Sequence, residues 1–245
     1  MNERDGRQLP EGPVLIVALD TQSRQAVNHI SDLLSPELCR LKIGKELFTA
    51  CGPIVVEEVQ RKGFEVFLDL KYHDIPNTVA KAVSAAADLG VWMVDVHTSG
   101  GFDMMSAARE ALDKYRSPPL LIGVTVLTSM LEEGLRQVGV ERDAAAQVEL
   151  LALLAKRAGL DGVVCSAREV AGLKSLCGAN FLAVTPGIRP TGAQADDQKR
   201  TASPAWALEN GSDFLVVGRP VTAAHDPLKA CEALLSEMRS GGKQQ

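Results

Sequence analysis

The sequence predicts an α/β fold, specifically a single (β/α)8 TIM barrel. Short apolar runs recur along the chain, and each is followed by a polar turn and then by a segment with helical periodicity. The runs are nearly continuous rather than alternating, which is typical of a parallel sheet covered by helices. Eight such units in 245 residues match a (β/α)8 barrel in number and length. A doubly wound open sheet is the alternative, but it usually has a Gly-rich turn after its first strand, and here the sequence is Leu19-Asp20-Thr21.

The predicted strands are short runs rich in Val, Ile, Leu and Phe. In chain order they lie at residues 14–19, 41–44, 66–70, 92–96, 120–127, 162–165, 181–184 and 214–217. Between them, apolar residues recur every three or four positions, which predicts helices at 55–62, 78–89, 102–115 and 144–158. Pro76-Asn77 favours a helix start, because proline is tolerated in the first turn.

A single domain is expected. Residues 1–13 are polar and carry Glu3, Asp5 and Glu11, which predicts a flexible N-terminal tail, and residues 14–245 form the barrel domain. We find no Pro/Gly/Ser-rich linker that would divide this second range. The tail also lacks the apolar segment of a secretion signal.

Composition excludes several classes of function. The net charge is −5 and there is no basic block, which argues against nucleic acid as a partner. No apolar run approaches the roughly 18–20 residues of a membrane span. The five cysteines show no CxxC pair, which is typical of reduced thiols in a cytoplasmic protein. No His/Cys cluster has the spacing of a zinc site, so no metal is expected.

The segment after the third strand concentrates charge at the mouth of the predicted barrel. Asp69 and Lys71 are two residues apart, so in a strand they point the same way, and Asp74 follows just past the strand end. Burying such charges costs several kcal/mol unless they are paired. A salt bridge that only ties the strand to its loop is the simpler interpretation.

In a (β/α)8 barrel, chemistry is expected at the carboxyl ends of the strands. Charged residues follow strands one to four, and phosphate-binding residue types follow strands seven and eight. The strand-end residues are Asp20, Lys42, Asp69, Lys71, Asp95, His97, Thr128, Ser129, Ser166, Gly187, Gly218 and Arg219. Asp95 is interpreted as a structural partner inside the barrel.

The loops after strands seven and eight predict a phosphate site. They contain Gly187, Arg189, Gly218 and Arg219. Glycine lets backbone amides approach an oxyanion closely, and arginine offers a planar donor fork. The simpler interpretation is that the glycines only turn the chain. Residues 191–198 are small and polar, which suggests a lid over a bound ligand.

With these motifs in hand, the chain resembles the orotidine 5′-phosphate decarboxylase family, in its bacterial form. The matching segments cover nearly the whole chain beyond residue 13. They are Val17-Ala18-Leu19-Asp20, Leu41-Lys42-Ile43-Gly44-Lys45, residues 69–78, Val96-His97-Thr98-Ser99-Gly100-Gly101, Val126-Leu127-Thr128-Ser129-Met130, Val184-Thr185-Pro186-Gly187-Ile188-Arg189 and Val217-Gly218-Arg219-Pro220.

The resemblance implies decarboxylation of orotidine 5′-phosphate to UMP, the last step of pyrimidine nucleotide synthesis, with no cofactor and no metal. It implies a homodimer in which Asp74 and Thr78 enter the partner's site. The implied catalytic residues are Lys42, Asp69, Lys71 and Asp74, with Lys71 stabilising and protonating a carbanion at C6. The implied substrate-binding residues are Asp20, Lys42, Asp69, Thr78, Thr128, Arg189, Gln198, Gly218 and Arg219.

Three other functions remain open at this point. A Schiff-base aldolase also places a lysine at a barrel strand end, but it needs the lysine neutral, and Asp69 and Asp74 favour the ammonium. A metal-dependent sugar-phosphate lyase would hold Mg²⁺ with a carboxylate from strand two, where this chain has Lys42. A catalytically silent phosphate-binding barrel is the third.

Overall fold

The computed structural model describes residues 2–4, 7–190 and 201–240, and within them eight parallel strands close into a barrel. Each strand pairs with the next in the chain, and the last pairs with the first through Leu215 and Leu15. The TIM barrel predicted from the sequence is therefore confirmed. The strands are β1 (Leu15–Leu19), β2 (Arg40–Gly44), β3 (Val66–Tyr72), β4 (Met93–His97), β5 (Leu120–Val124), β6 (Gly162–Val164), β7 (Leu182–Thr185) and β8 (Phe214–Val217).

Helices cover the outside of the barrel, as the 3.6-residue periodicity predicts. Those in the described ranges are α1 (Arg24–Leu33), α2 (Lys45–Cys51), α3 (Ile54–Arg61), α4 (Pro76–Asp88), α5 (Phe102–Glu110), α6 (Glu132–Gln137), α7 (Ala144–Arg157), α8 (Val170–Cys177), α9 (Pro204–Glu209), α10 (Arg219–Thr222) and α11 (Pro227–Ser240). None of the described helices is both long and apolar enough to cross a membrane.

Two strand boundaries differ from the prediction in a way that shapes the site. Strand β3 runs to Tyr72 rather than residue 70, so Lys71 belongs to the strand. Strand β5 ends at Val124 rather than residue 127. There the hydroxyl of Thr125 donates to the carbonyl of Val164 at 2.9 Å, and the chain leaves the barrel.

Strand residues alternate between two apolar layers, because successive side chains point to opposite faces. On β2, Leu41 and Ile43 are fully buried in the layer between strands and helices. Arg40 and Lys42 take the other face, which points into the barrel. The interior layer contains Ile16, Ala18, Phe67, Met93, Ile122, Leu182, Val184, Phe214 and Val216.

Arg40 fills the amino-terminal end of the barrel. It is 1% exposed, and its guanidinium lies 3.9 Å from the centre of the Trp92 ring. Its Nε donates to Glu65 at 2.6 Å, and its other nitrogens donate to the carbonyls of Glu11 and Pro13. Arg40 thus packs this end of the barrel.

The N-terminal segment contains two short antiparallel strands, Asn2–Arg4 and Arg7–Leu9, which pair with each other. The flexibility expected for residues 1–13 stays a prediction. All five cysteines are free thiols, and Cys39, Cys165, Cys177 and Cys231 are buried.

Candidate active site

A cavity of about 540 Å³ opens at the carboxyl ends of the strands, within the usual size range of small-molecule sites. Its aspartate and lysine residues come from β1 to β3, and the rest of its wall combines apolar residues of β5 to β8 with polar residues of the loops that follow them. The lining residues are Ala18, Asp20, Lys42, Phe67, Asp69, Lys71, Val124, Val126, Leu127, Thr128, Ser129, Val164, Val184, Pro186, Gly187, Arg189, Val216, Gly218 and Arg219. One cavity therefore holds both predicted regions, the charged strand ends and the phosphate loops.

Asp69 is the centre of the charged cluster. One of its carboxylate oxygens lies 3.0 Å from Lys42 Nζ, and the other accepts a hydrogen bond from Lys71 Nζ. Lys42 Nζ also lies 3.7 Å from Asp20 at the rim. Asp69 and Lys71 contact each other, as the sequence analysis expected, although the strand between them is irregular. Three of the four predicted catalytic residues are therefore brought together in a single chain.

The cluster fixes the charges of Asp69 and Lys42. Burial alone would raise the pKa of Asp69. Three interactions outweigh burial and lower this pKa to about 2, namely the charge of Lys42, a side-chain hydrogen bond with Asp95, and the charge and hydrogen bond of Lys71. Burial alone would lower the pKa of Lys42, but the carboxylates of Asp69 and Asp20 outweigh it and raise this pKa. Both groups are therefore charged at neutral pH.

Lys71 has an unusual backbone conformation. Its φ is +49°, in the left-handed region that residues with a Cβ rarely adopt. Leu68 pairs with Val94 and Tyr72 pairs with Val96, so residues 69–71 of β3 face the single residue Asp95 of β4. The amide of Lys71 donates to Asp95 Oδ1 at 2.7 Å. Lys71 is thus presented by a bulge, a feature that often re-aims side chains near active sites.

Asp95 has 0% exposure. Burial raises its pKa well above the usual value, and the neighbouring Asp69 carboxylate raises it further. The hydrogen bond from the Lys71 amide agrees with the sequence interpretation of Asp95 as a structural partner inside the barrel.

The predicted phosphate residues line the opposite side of the cavity. Arg189 Nη1 donates to the carbonyl of Ile188 at 2.9 Å, while Arg189 Nε is buried without a hydrogen-bond partner in the described part of the chain. At Gly218, a Cβ would lie 3.3 Å from the Asp20 carboxylate, so the backbone after β8 passes close to Asp20, which follows the neighbouring strand β1. Gln198 and the expected lid at 191–198 lie outside the described residues.

Of the predicted site residues that the structure describes, Asp74 and Thr78 do not line the cavity of this chain. Both are exposed. The Asp74 carboxylate accepts a hydrogen bond from the amide of Ile75 at 2.6 Å, and Thr78 lies in the first turn of α4. Ile75 between them is 65% exposed.

Comparison with known proteins assigns the family. A family model described as "Orotidine 5'-phosphate decarboxylase / HUMPS family" matches residues 13–234. The chain belongs to this family. Orotidine 5′-phosphate decarboxylase of Saccharophagus degradans is 62% identical, over 92% of this chain and 95% of the relative. The protein of the same name from Sodalis glossinidius is 56% identical, over 94% and 92%.

A solved structure of a family member shares the fold. The crystal structure of orotidine 5′-phosphate decarboxylase from Lactobacillus acidophilus superposes with a TM-score of 0.83 at 41% identity. The match covers 93% of this chain and 99% of that one.

Sequence reasoning missed the apolar part of this family member's site. Phe67 lies below Asp69, and Val184 and Val216 lie two residues before Pro186 and Gly218 in the same cavity. Strand alternation supplies the signal, because a residue two positions before an inward-facing strand end also faces inward.

Proposed function

We propose that the protein removes CO2 from orotidine 5′-phosphate and releases UMP without a cofactor, as the last step of pyrimidine nucleotide synthesis. The contact of the Lys71 ammonium with the ionised Asp69 carboxylate, at the base of the cavity, carries this proposal. The names of the relatives that are 62% and 56% identical support it.

The charged cluster suits the chemistry of this reaction. Cleavage of the bond between C6 and the carboxylate leaves an electron pair in the plane of the pyrimidine ring, where it cannot delocalise into the π system. An ammonium group beside C6 stabilises that pair electrostatically and then donates a proton to it. Lys71 plays both parts in the proposal, and water returns the proton to its amine. Asp69 orients Lys71 through their hydrogen bond and, in the proposal, lies against the departing carboxylate.

Binding groups far from C6 fix the substrate in place. Arg189, Gly218 and Arg219 line the phosphate side of the cavity, where arginine forks suit phosphate oxygens, and Gln198 joins them in the proposal. Asp20 and Lys42 hold the ribose hydroxyls, and Thr128 recognises the pyrimidine edge. Binding energy gained at the phosphate orients the reacting bond against Lys71.

A homodimer completes the site in this proposal, with Asp74 and Thr78 supplied by a second copy of the chain. Their exposure in one chain, together with the exposed Ile75 side chain, supports a covered surface here. Mixing Lys71→Ala and Asp74→Ala subunits tests it, because a mixed dimer has one site with both residues native. Regained activity supports shared sites, and activity no higher than the sum of the two variants contradicts them.

The free thiols support a reducing compartment, and we include a cytoplasmic location in the proposal.

A metal-dependent sugar-phosphate lyase is the nearest rival. In the proposal that rival is disfavoured because the ammonium of Lys42 lies 3.0 Å from Asp69, where it would repel a divalent cation. A Schiff-base role for Lys71 is disfavoured because its amine is held in a hydrogen bond to the Asp69 carboxylate. Borohydride trapping of a substrate adduct would support the Schiff-base alternative.

One absorbance assay tests the proposed function. Orotidine 5′-phosphate is incubated with the protein and EDTA, and loss of the orotate chromophore is followed at several protein concentrations. We expect a rate proportional to protein and unaffected by EDTA, with Lys71→Ala as the control that loses it. Full loss of activity in EDTA, or full activity of Lys71→Ala, contradicts the proposal. Stabilisation by UMP without turnover would indicate a silent binding barrel.

A further inference from the structure

We propose that Asp95 is a positioning residue for Lys71. Asp95 acts as a neutral carboxylic acid that accepts a hydrogen bond from the Lys71 amide and donates one to the Asp69 carboxylate. The inference rests on the proposed decarboxylation, and it assigns a role to a buried acid that the mechanism above does not use.

The backbone of Lys71 needs a partner at this place. Residues 69–71 are opposite Asp95 alone, so the regular ladder between β3 and β4 is interrupted there. An unpaired buried amide is costly, and a φ of +49° is disfavoured for lysine. The hydrogen bond of 2.7 Å from the Lys71 amide to Asp95 Oδ1 satisfies the amide and holds this conformation.

The second oxygen of Asp95 indicates its protonation state. Asp95 Oδ2 is buried and has no hydrogen-bond donor among the described residues, and the carboxyl groups of Asp95 and Asp69 interact with each other. Two ionised carboxylates in contact repel each other strongly away from water, so one of them must keep a proton. Asp69 has the ammonium groups of Lys42 and Lys71 beside it, so Asp69 is ionised and Asp95 keeps the proton. The raised pKa of Asp95 agrees with this assignment.

The ionisable groups around Asp95 come from β2 and β3. Lys42 on β2, and Asp69, Lys71 and Tyr72 on β3, are the ionisable groups that interact with it in the described chain. On the other side, its β5 neighbour in the sheet is the apolar Ile122.

A neutral Asp95 matters for the reaction. An ionised carboxylate here would weaken the positive potential that Lys71 presents to an anion at C6, because little water is present to screen it. As an acid, Asp95 orders both Lys71 and Asp69 without opposing that charge.

Two substitutions separate this role from simple packing. Asp95→Asn keeps an acceptor for the Lys71 amide and a donor for Asp69, and it is always neutral. We expect its kcat to stay within about threefold of the wild-type value. Asp95→Ala removes both hydrogen bonds, and we expect kcat to fall roughly ten- to a hundredfold, as for a lost buried hydrogen bond. The Kd for UMP should change little in either variant, because Asp95 lies outside the cavity lining.

A lower unfolding temperature of Asp95→Ala with an unchanged kcat would overturn the positioning role. A loss of kcat in Asp95→Asn as large as that in Asp95→Ala would overturn the neutral state.

An infrared measurement tests the protonation state without turnover. The difference spectrum between wild-type protein and Asp95→Asn at neutral pH should contain the carbonyl band of a protonated carboxylic acid. A band of an ionised carboxylate there would overturn the inference, and this test holds even where Asp95→Ala does not fold. Failure of the wild-type protein to consume orotidine 5′-phosphate would contradict the proposed function instead, and the spectrum would still report on Asp95.

Discussion

Asp69→Asn tests whether the charged cluster is held together by this single carboxylate. Asp69 is 8% exposed, and its oxygens contact Lys42 and Lys71. The Lys42 side chain is only 12% exposed. After the substitution, its nearest remaining ion-pair partner is the Asp20 carboxylate, which lies 3.7 Å from Lys42 Nζ. Breaking a buried ion pair from one side costs about 3–5 kcal/mol. In a domain of this size, 1 kcal/mol shifts the unfolding temperature by about 2–4 °C, so we expect a loss of roughly 6–20 °C.

The assay is thermal and urea unfolding at one protein concentration, so that any assembly contributes equally. The matched control is Glu132→Gln, which makes the same chemical change in an exposed pair with Arg136 at 3.2 Å. We expect a cost of at most about 0.5 kcal/mol for the control. If Asp69→Asn were no more destabilising than Glu132→Gln, the buried pair would not be the stabilising contact described above.

Three further predictions concern acid stability, the barrel floor and the phosphate side. Because the pKa of Asp69 is lowered from 3.8 to about 2 on folding, its stabilisation is complete above about pH 4 and is lost as pH falls towards 2. The urea midpoint of the wild-type protein should fall more steeply across this window than that of Asp69→Asn. Arg40→Met should cost about 3 kcal/mol of stability but leave kcat unchanged, since Arg40 lies at the amino-terminal end of the barrel; a large loss of kcat in folded protein would contradict this. Arg219→Ala should raise KM for orotidine 5′-phosphate roughly ten- to a hundredfold, as for a lost charge-assisted hydrogen bond. Turnover of orotidine, which lacks the phosphate, should not change, and an equal effect on both substrates would contradict a phosphate contact.

The sequence predicts most of this fold because apolar runs and helical periodicity are local properties. Strand β8 has the predicted bounds, and the other strands differ by one to three residues at one or both ends. The contact between Lys42 and Asp69 is also predictable, since the carboxyl ends of adjacent parallel strands meet at one edge of the sheet.

The bulge in β3 is not predictable from the sequence, because it depends on how β3 pairs with β4. Residues 69–71 include no glycine or proline that would mark it. The contact between Asp95 and the Lys71 amide follows from this pairing and was missed for the same reason. Asp74 came from the family resemblance alone, and its proposed role depends on a second copy of the chain.

The interrupted pairing of β3 has a consequence for protein engineering. Asp69 and Lys71 are separated by one residue in sequence, but their relative placement depends on the irregular pairing of β3. Between its pairs with Val94 and Val96, β3 has three residues where β4 has one, which is a surplus of two. Transplanting Asp-x-Lys onto a regular strand of another barrel would reproduce the residue types without the left-handed backbone conformation of the lysine. A graft should therefore carry the surplus length of β3 and an acid at the position of Asp95 together.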